Sequence, residues 1–212
     1  MKQQGFSFDL SQRAQAAAAT QCPAPITLVR GFLNVEQQQA LMQEAQHYPF
    51  ERPQIRVYGQ YHPIPRSQVW FADKGCDYRY SNLFIEAIDW PKYAQRCRDM
   101  LAREFGLQSN GVLVNRYRDG NDTMGWHSDD EVEIKPGSDI ASLTLGASRD
   151  FLIRHKQTKA RYTIALTSGD LLIMHWPMQQ EWQHSLPKRK AVSDCRLNYT
   201  FRQLVPDFHS NR

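Results

Sequence analysis

Six short β-type runs, with no helical pattern between them, dominate the second half of this chain. After Gly106 come Val112–Arg118, Ile140–Leu145, Phe151–His155, Tyr162–Leu166, Leu171–His175 and Arg196–Leu204. Turn signals part them, among them Asp119-Gly120-Asn121-Asp122, Lys135-Pro136-Gly137-Ser138 and Ser168-Gly169-Asp170. Many short strands without intervening helices predict an antiparallel sandwich or jelly roll.

The first half reads differently. A helix is expected after Asn34, a good N-cap, with Leu41, Ala45 and Tyr48 on one face. A second runs from Pro91 to Phe105, with Tyr93, Cys97, Met100, Leu101 and Phe105 as its apolar stripe and Gly106 as its stop. Residues 1–24 are polar and Ala/Gln-rich, the composition of a flexible arm. Residues 54–81 are rich in aromatics, including Tyr58, Tyr61, Trp70, Phe71, Tyr78 and Tyr80, without clear periodicity. The fold class expected is α+β, as one domain over 25–212.

The chain has 212 residues, room for one sizeable core. No run approaches the ~18 apolar residues of a membrane span. The first ten residues lack the apolar stretch of a signal peptide, so an intracellular location is expected. Cys22, Cys76, Cys97 and Cys195 are scattered and form no CxxC pair, which predicts four reduced thiols. Net charge is +4, but its distribution says more. Seven acids against one lysine lie between Asp119 and Asp139, and ten Lys/Arg against four acids between Arg149 and Arg202. An acidic stretch beside a basic half suits a cation site within a surface that meets polyanions.

His127-Ser128-Asp129 offers the chemistry of such a site. In extended chain, residues i and i+2 project from one side, so an imidazole and a carboxylate meet at one point. His184 is placed to supply the third ligand. Two His and one carboxylate on one face of an octahedron leave three cis positions open, as an O₂-activating Fe(II) requires. Arg196, Asn198 and Arg202 fall on one face of a strand, against Leu197, Tyr199 and Phe201 on the other. Buried guanidiniums need anions, either Asp/Glu partners or a small dicarboxylate such as 2-oxoglutarate. Asn115 and Tyr117 share a strand face and could bond the same co-substrate or simply be satisfied within the core.

Asn115-x-Tyr117, His127-x-Asp129, a distal His184 and Arg196-x-Asn198-x-x-x-Arg202 together resemble the AlkB family of Fe(II)/2-oxoglutarate dioxygenases. The likeness spans roughly Ile55 to Val205 and is strongest to the branch whose human member repairs duplex DNA. It is carried also by Val57-Tyr58-Gly59, Ile64-Pro65-Arg66, Arg118-Asp119-Gly120, Asp130-Glu131, Pro136-Gly137-Ser138-Asp139-Ile140-Ala141-Ser142-Leu143, Arg149-Asp150-Phe151 and His184-Ser185-Leu186-Pro187.

The resemblance implies a double-stranded β-helix (jelly-roll) core over 107–205, N-terminal supporting helices, and a nucleotide-recognition lid over 54–81. It implies Fe(II) as cofactor, 2-oxoglutarate and O₂ as co-substrates, and oxidative demethylation of bases such as 1-methyladenine and 3-methylcytosine in DNA, releasing formaldehyde and succinate. By resemblance Arg196 and Tyr117 hold the far carboxylate of 2-oxoglutarate. Arg202, Asn115 and Asn198 steady the other end, with Arg202 counted beside His127, Asp129 and His184 in the catalytic set.

A damaged base is reached only when flipped out of the stack. Tyr80 and His127 match the family's sandwich for it, and Tyr78, Asp130 and Glu131 match groups near its edge. Arg66 and Ser81 are further expected substrate contacts. Tyr58 stands where the family's intercalating finger has Phe. Lys188-Arg189-Lys190 matches a loop that grips the strand. Trp126 stands where the family carries a charged residue. Duplex DNA is the expected partner and a monomer the expected state. The alternative enzyme demethylates RNA or single strands. A non-catalytic metal-binding nucleic-acid module is disfavoured by the intact ligand set and both arginines.

Overall fold

The computed structural model describes residues 22–57, 59–80 and 83–209, and of Ile55, Val57, Tyr80 and Leu83 the backbone alone. The first half contains β1 (Ile26–Val29), α1 (Val35–Glu44), β2 (Gln54–Val57), β3 (Gln60–Pro63), β4 (Ser67–Ala72), β5 (Tyr78–Tyr80), β6 (Leu83–Ile85) and α2 (Lys92–Phe105). The second contains β7 (Gly111–Tyr117), β8 (Met124–His127), β9 (Ile140–Gly146), β10 (Arg149–His155), β11 (Arg161–Leu166) and β12 (Leu171–Met174). The short α3 (Met178–Glu181), β13 (Trp182–Leu186) and β14 (Arg196–Arg202) complete it.

Both helices begin as their ends dictate. Asn34 Oδ1 accepts from Gln37 N at 2.9 Å and Gln37 Oε1 accepts from Asn34 N at 2.8 Å, a reciprocal capping box. Pro91, at the N-cap of α2, offers no side-chain acceptor. Glu44 at the end of α1 serves instead, its carboxylate accepting from Tyr93 N at 2.8 Å and Ala94 N at 3.2 Å. An acid at the positive end of a helix also meets its dipole favourably. Gly106 ends α2 at φ +72°, as the sequence predicts.

The strands form a six-stranded sheet in the order β1-β12-β9-β14-β7-β4 and a four-stranded sheet β11-β10-β13-β8. Every pairing is antiparallel. This is the jelly roll expected. One face of the large sheet packs on the helices, through Leu41, Cys97 and Leu101 against Val112, Leu143, Leu197, Tyr199 and Phe201. The other meets the small sheet, with Ile140, Leu172 and Met174 against Phe151, Ile153, Ile164 and Trp182.

Two expectations shift. The large sheet reaches outside 107–205, since β1 and β4 form its edges. β4 lies within the stretch expected to be lid, yet all six of its residues are buried and it pairs in full with β7. What flanks it are two separate ribbons, β2–β3 and β5–β6. Residues 1–21 lie outside the described residues, while Ala24, expected at the end of a flexible arm, is buried in the second core cluster. All four cysteines are free thiols. Among the described residues no helix is long and apolar enough to cross a membrane.

Candidate active site

β8 and β13 place the three ligands. Their register sets His127 opposite His184, and Asp129 follows His127 just past the strand end. The ligand atoms of His127, Asp129 and His184 lie within 4.8 Å of one another. His127 Nε2 is 3.5 Å from Asp129 Oδ1, and His184 Nε2 is 4.0 Å from Asp129 Oδ2. His127 Nδ1 lies 2.9 Å from the Gly125 carbonyl, which can only accept. Nδ1 therefore carries the hydrogen and the Nε2 lone pair faces the carboxylate. Phe151 stacks on the His184 ring at 5.1 Å and 27°. Gln179 Oε1 accepts from Asp129 N at 3.0 Å, so α3 also braces the ligand loop.

The charge balance suits a cation. Burial alone would raise the Asp129 carboxyl, but Arg202 at 2.9 Å and the two imidazoles hold it far below the usual range. Burial, reinforced by the positive field of His127, lowers His184 to about 3, so it is a neutral imidazole. Burial pulls His127 down, yet its contact with Asp129 outweighs that and raises it above the ordinary value. One anionic and two imidazole donors facing a single point fit a divalent metal.

Behind the ligands, β14 aims Arg196, Asn198, Thr200 and Arg202 into the space between the sheets, where they line a pocket open to solvent at its mouth. Arg196 is 1% exposed. Its Nη2 donates to Thr144 Oγ1 at 2.9 Å and Asn198 Oδ1 at 2.8 Å, and its guanidinium lies 5.5 Å from the Tyr117 ring centroid. Among the described residues it has no carboxylate partner, and its buried Nε has no acceptor. Burial lowers it to about 10. An uncompensated buried guanidinium is costly, which marks a place for an anion. Arg202 has a carboxylate, Asp129, but its Nη1 and Nε remain unpartnered. The two arginines thus bracket the pocket, one at the metal end and one at the Tyr117 end. That arrangement fits a dicarboxylate lying between them.

The expected substrate residues divide. Glu131 accepts a hydrogen bond from the Tyr78 hydroxyl, while its Oε2 is buried without a partner. Burial raises the Glu131 carboxyl, Arg202 opposing. Asp130 is exposed and 3.7 Å from Lys156 Nζ. Tyr78 is 1% exposed, stacked on Trp70 at 5.0 Å and beneath Arg202, so it holds Glu131 rather than offering a face at the surface. Arg66 is also buried and donates to Asn115 Oδ1 at 2.9 Å. It braces the pocket wall instead of reaching outward. Tyr58 and Ser81 lie outside the described residues, and of Tyr80 only its place on β5 is described.

The basic loop is built in, not loose. Arg189 N donates to the Gly120 carbonyl at 2.7 Å and Gly120 N to the Val192 carbonyl at 2.7 Å, and a Cβ on Gly120 would sit 1.7 Å from the Arg189 carbonyl oxygen, so only glycine fits. Arg149, 3% exposed, donates to the carbonyls of Asp119, Asp122 and Pro187 and so ties both loops together. Arg189 is taken by Asp150 at 2.7 Å. Lys188 and Lys190 are exposed.

Sequence reasoning missed what β9 contributes, Ser142 to the pocket lining and Thr144 as an acceptor for Arg196, although these alternate with Ala141, Leu143 and Leu145 as on β14. It also missed Glu133, 1% exposed, whose Oε1 accepts from Arg79 N at 2.7 Å and so fastens the β5–β6 ribbon. No local signal marked that residue.

Facial-triad ligands at the mouth of a jelly roll, with a buried basic pocket behind them, define a class: oxygenases that use Fe(II), 2-oxoglutarate and O₂. The family model of the 2OG-Fe(II) oxygenase superfamily matches residues 25–202, and the chain belongs to that superfamily. The mouse protein called DNA oxidative demethylase ALKBH2 is 40% identical over 174 residues, 78% of this chain and 73% of that one. Its human counterpart is 38% identical over 175 residues, 79% and 67% of the two chains. The human alpha-ketoglutarate-dependent dioxygenase alkB homolog 3 is 32% identical over 194 residues, 86% and 67%. The solved structure of OsALKBH1 has the same fold, with a TM-score of 0.60 at 17% identity over 87% of this chain and all of the other.

Proposed function

We propose that this dioxygenase removes N-alkyl groups from damaged DNA bases by oxidative demethylation, with a flipped 1-methyladenine or 3-methylcytosine as substrate. Bound iron with 2-oxoglutarate and O₂ supplies the oxidising power that hydroxylates the N-methyl carbon, after which formaldehyde leaves. The chain's residues do the rest. His127, Asp129 and His184 are the metal ligands. Arg202 fixes Asp129 and faces the near end of 2-oxoglutarate. Arg196 and Tyr117 take its far carboxylate, and Asn115 and Asn198 fill in between. His127 and Tyr80 form the walls of the base pocket. Glu131, held by Tyr78, turns its free oxygen to the exocyclic amine or positive ring of the methylated base, with Asp130 beside it. Lys188 and Lys190 meet the strand's phosphates.

The observation that carries the reading is Arg196: a fully buried guanidinium without an acid, on the strand that also carries Arg202 to the metal ligands. The relatives named as DNA oxidative demethylases direct it to DNA. Duplex is the preferred form, with Tyr58 as the wedge that fills the vacated stack, and the place of action is wherever the cell keeps its DNA. The test is incubation with Fe(II), 2-oxoglutarate and a 1-methyladenine duplex, followed by mass spectrometry for loss of one methylene. His127→Ala abolishes that loss. A folded wild-type protein that leaves the methyl group in place on duplex, single strand and RNA alike overturns the reading.

A further inference from the structure

The outer face of the small sheet carries a feature the catalytic pocket does not use. Arg154 on β10 and Arg161 on β11 are direct cross-strand partners. Like charges facing each other across an antiparallel pair repel. A carboxylate would ordinarily be found between them, yet among the described residues neither has one within ion-pair distance. Asp150, four residues before Arg154 on β10, is paired with Arg189, and Asp130 with Lys156. What lies against the two guanidiniums is Trp126 on β8. Its ring centroid is 4.3 Å from the Arg154 guanidinium carbon and 5.9 Å from that of Arg161. Gln183 on β13 accepts from Arg154 Nη2 at 2.6 Å and fixes its direction, while Arg154 Nε is left without an acceptor.

The row Arg161, Arg154, Gln183, Trp126 therefore crosses all four strands on one face. His127 and His184 point from the same strands to the opposite face. An aromatic ring flanked by uncompensated guanidiniums on an open sheet is the chemistry that holds single nucleotides, the base by stacking and the phosphate by charge. The geometry points to a nucleotide subsite here, in which Trp126 stacks on a base beyond the lesion and Arg154 and Arg161 take the adjoining phosphates. This rests on the reading that the substrate is a nucleic acid.

The test is binding of an undamaged oligonucleotide of about 12 nucleotides, as single strand and as duplex, to the full chain without iron, followed by fluorescence anisotropy. Trp126→Leu is expected to weaken binding by about fivefold or more, the worth of one stacked base, and Trp126→Phe to restore most of it. Arg154→Gln with Arg161→Gln is expected to flatten the slope of log Kd against log salt by about 1.4 on the single strand, two lost phosphate contacts. Loss in either arm supports the subsite and says which strand it holds. Wild-type affinity in both arms for Trp126→Leu, or an unchanged salt slope for the arginine pair, overturns it. Failure of the demethylase reading looks different: wild type binds both oligonucleotides and leaves a methylated one untouched.

Discussion

The metal end of this molecule and the end proposed to meet the nucleotide are built on opposite plans. The arginines sit on a long ladder, since β14 pairs with β7 and β9 over its length, and the metal ligands meet across the shorter pairing of β8 with β13 inside the four-stranded sheet. Nearly every polar group there is buried. The proposed nucleotide end consists of β2–β3 and β5–β6, ribbons of two strands each, with all four residues of β3 exposed. Two-stranded ribbons are marginal by themselves. They are tethered at a few points, such as Arg79 N to Glu133 and Arg52 to the Ile64 carbonyl. On the proposed function, the chemistry is thus held within two packed sheets, and recognition is hung on short ribbons that lie outside both.

The sharpest way to break that contrast is at the frame. His127→Ala and Asp129→Ala both abolish turnover, but they differ in stability. Removing Asp129 strands the buried charge of Arg202, a cost of about 3–5 kcal/mol. Metal-free Asp129→Ala should therefore melt well below metal-free His127→Ala, and equal melting temperatures would show that Arg202 has another anion. Next in size is Arg196→Met. It should raise the KM for 2-oxoglutarate by about 30-fold or more, the loss of a buried charge pair worth 2 kcal/mol or above, while leaving the affinity for the oligonucleotide unchanged. Steady-state kinetics in each substrate separately checks both halves.

At the other end, Tyr58→Ala should cut duplex repair about tenfold and single-strand repair little, since a wedge matters only where a stack must be refilled. Equal losses would remove the duplex preference. The smallest effect is in pH. Asp129 stays ionised and His184 neutral across the working range, so His127, raised by Asp129, is the group whose proton competes with the metal. Its protonated form persists to higher pH than an ordinary imidazole's. Co(II) affinity should weaken as pH falls from 7.5 to 6.5, by at most about tenfold and with one proton displaced. A two-proton dependence would mean that His184 also titrates there.

Much of the frame was legible because a period of two survives even in a strand buried on both sides. Arg196, Asn198 and Arg202 against Leu197, Tyr199 and Phe201 declared both faces of β14 before any partner was known. β4 hid itself for the opposite reason. Its Ser67 and Gln68 are buried beside Val69, Trp70 and Phe71, so the run shows no alternation and reads as part of an aromatic loop. β8 is four residues with a glycine in it, and the pairing beside it shifts register between His184 and Leu186. The meeting of His127 with His184 is a long-range fact of that pairing, absent from local sequence. So is the capping of α2 by Glu44 from 49 residues upstream. Arg66 and Tyr78 matched a motif, but burial set their work, inside the wall and not at the mouth.

The contrast between frame and ribbons is tested most directly by counting two products in one reaction. Wild type, given a 1-methyladenine duplex, should form succinate and demethylated base in step. With Tyr58→Ala and Tyr80→Ala together, succinate should continue to form from 2-oxoglutarate while demethylation of the duplex falls about tenfold or more, because the proposal gives both side chains to the DNA and neither to the metal or 2-oxoglutarate. Succinate and demethylation falling together would contradict the account, for then the ribbons would be part of the frame.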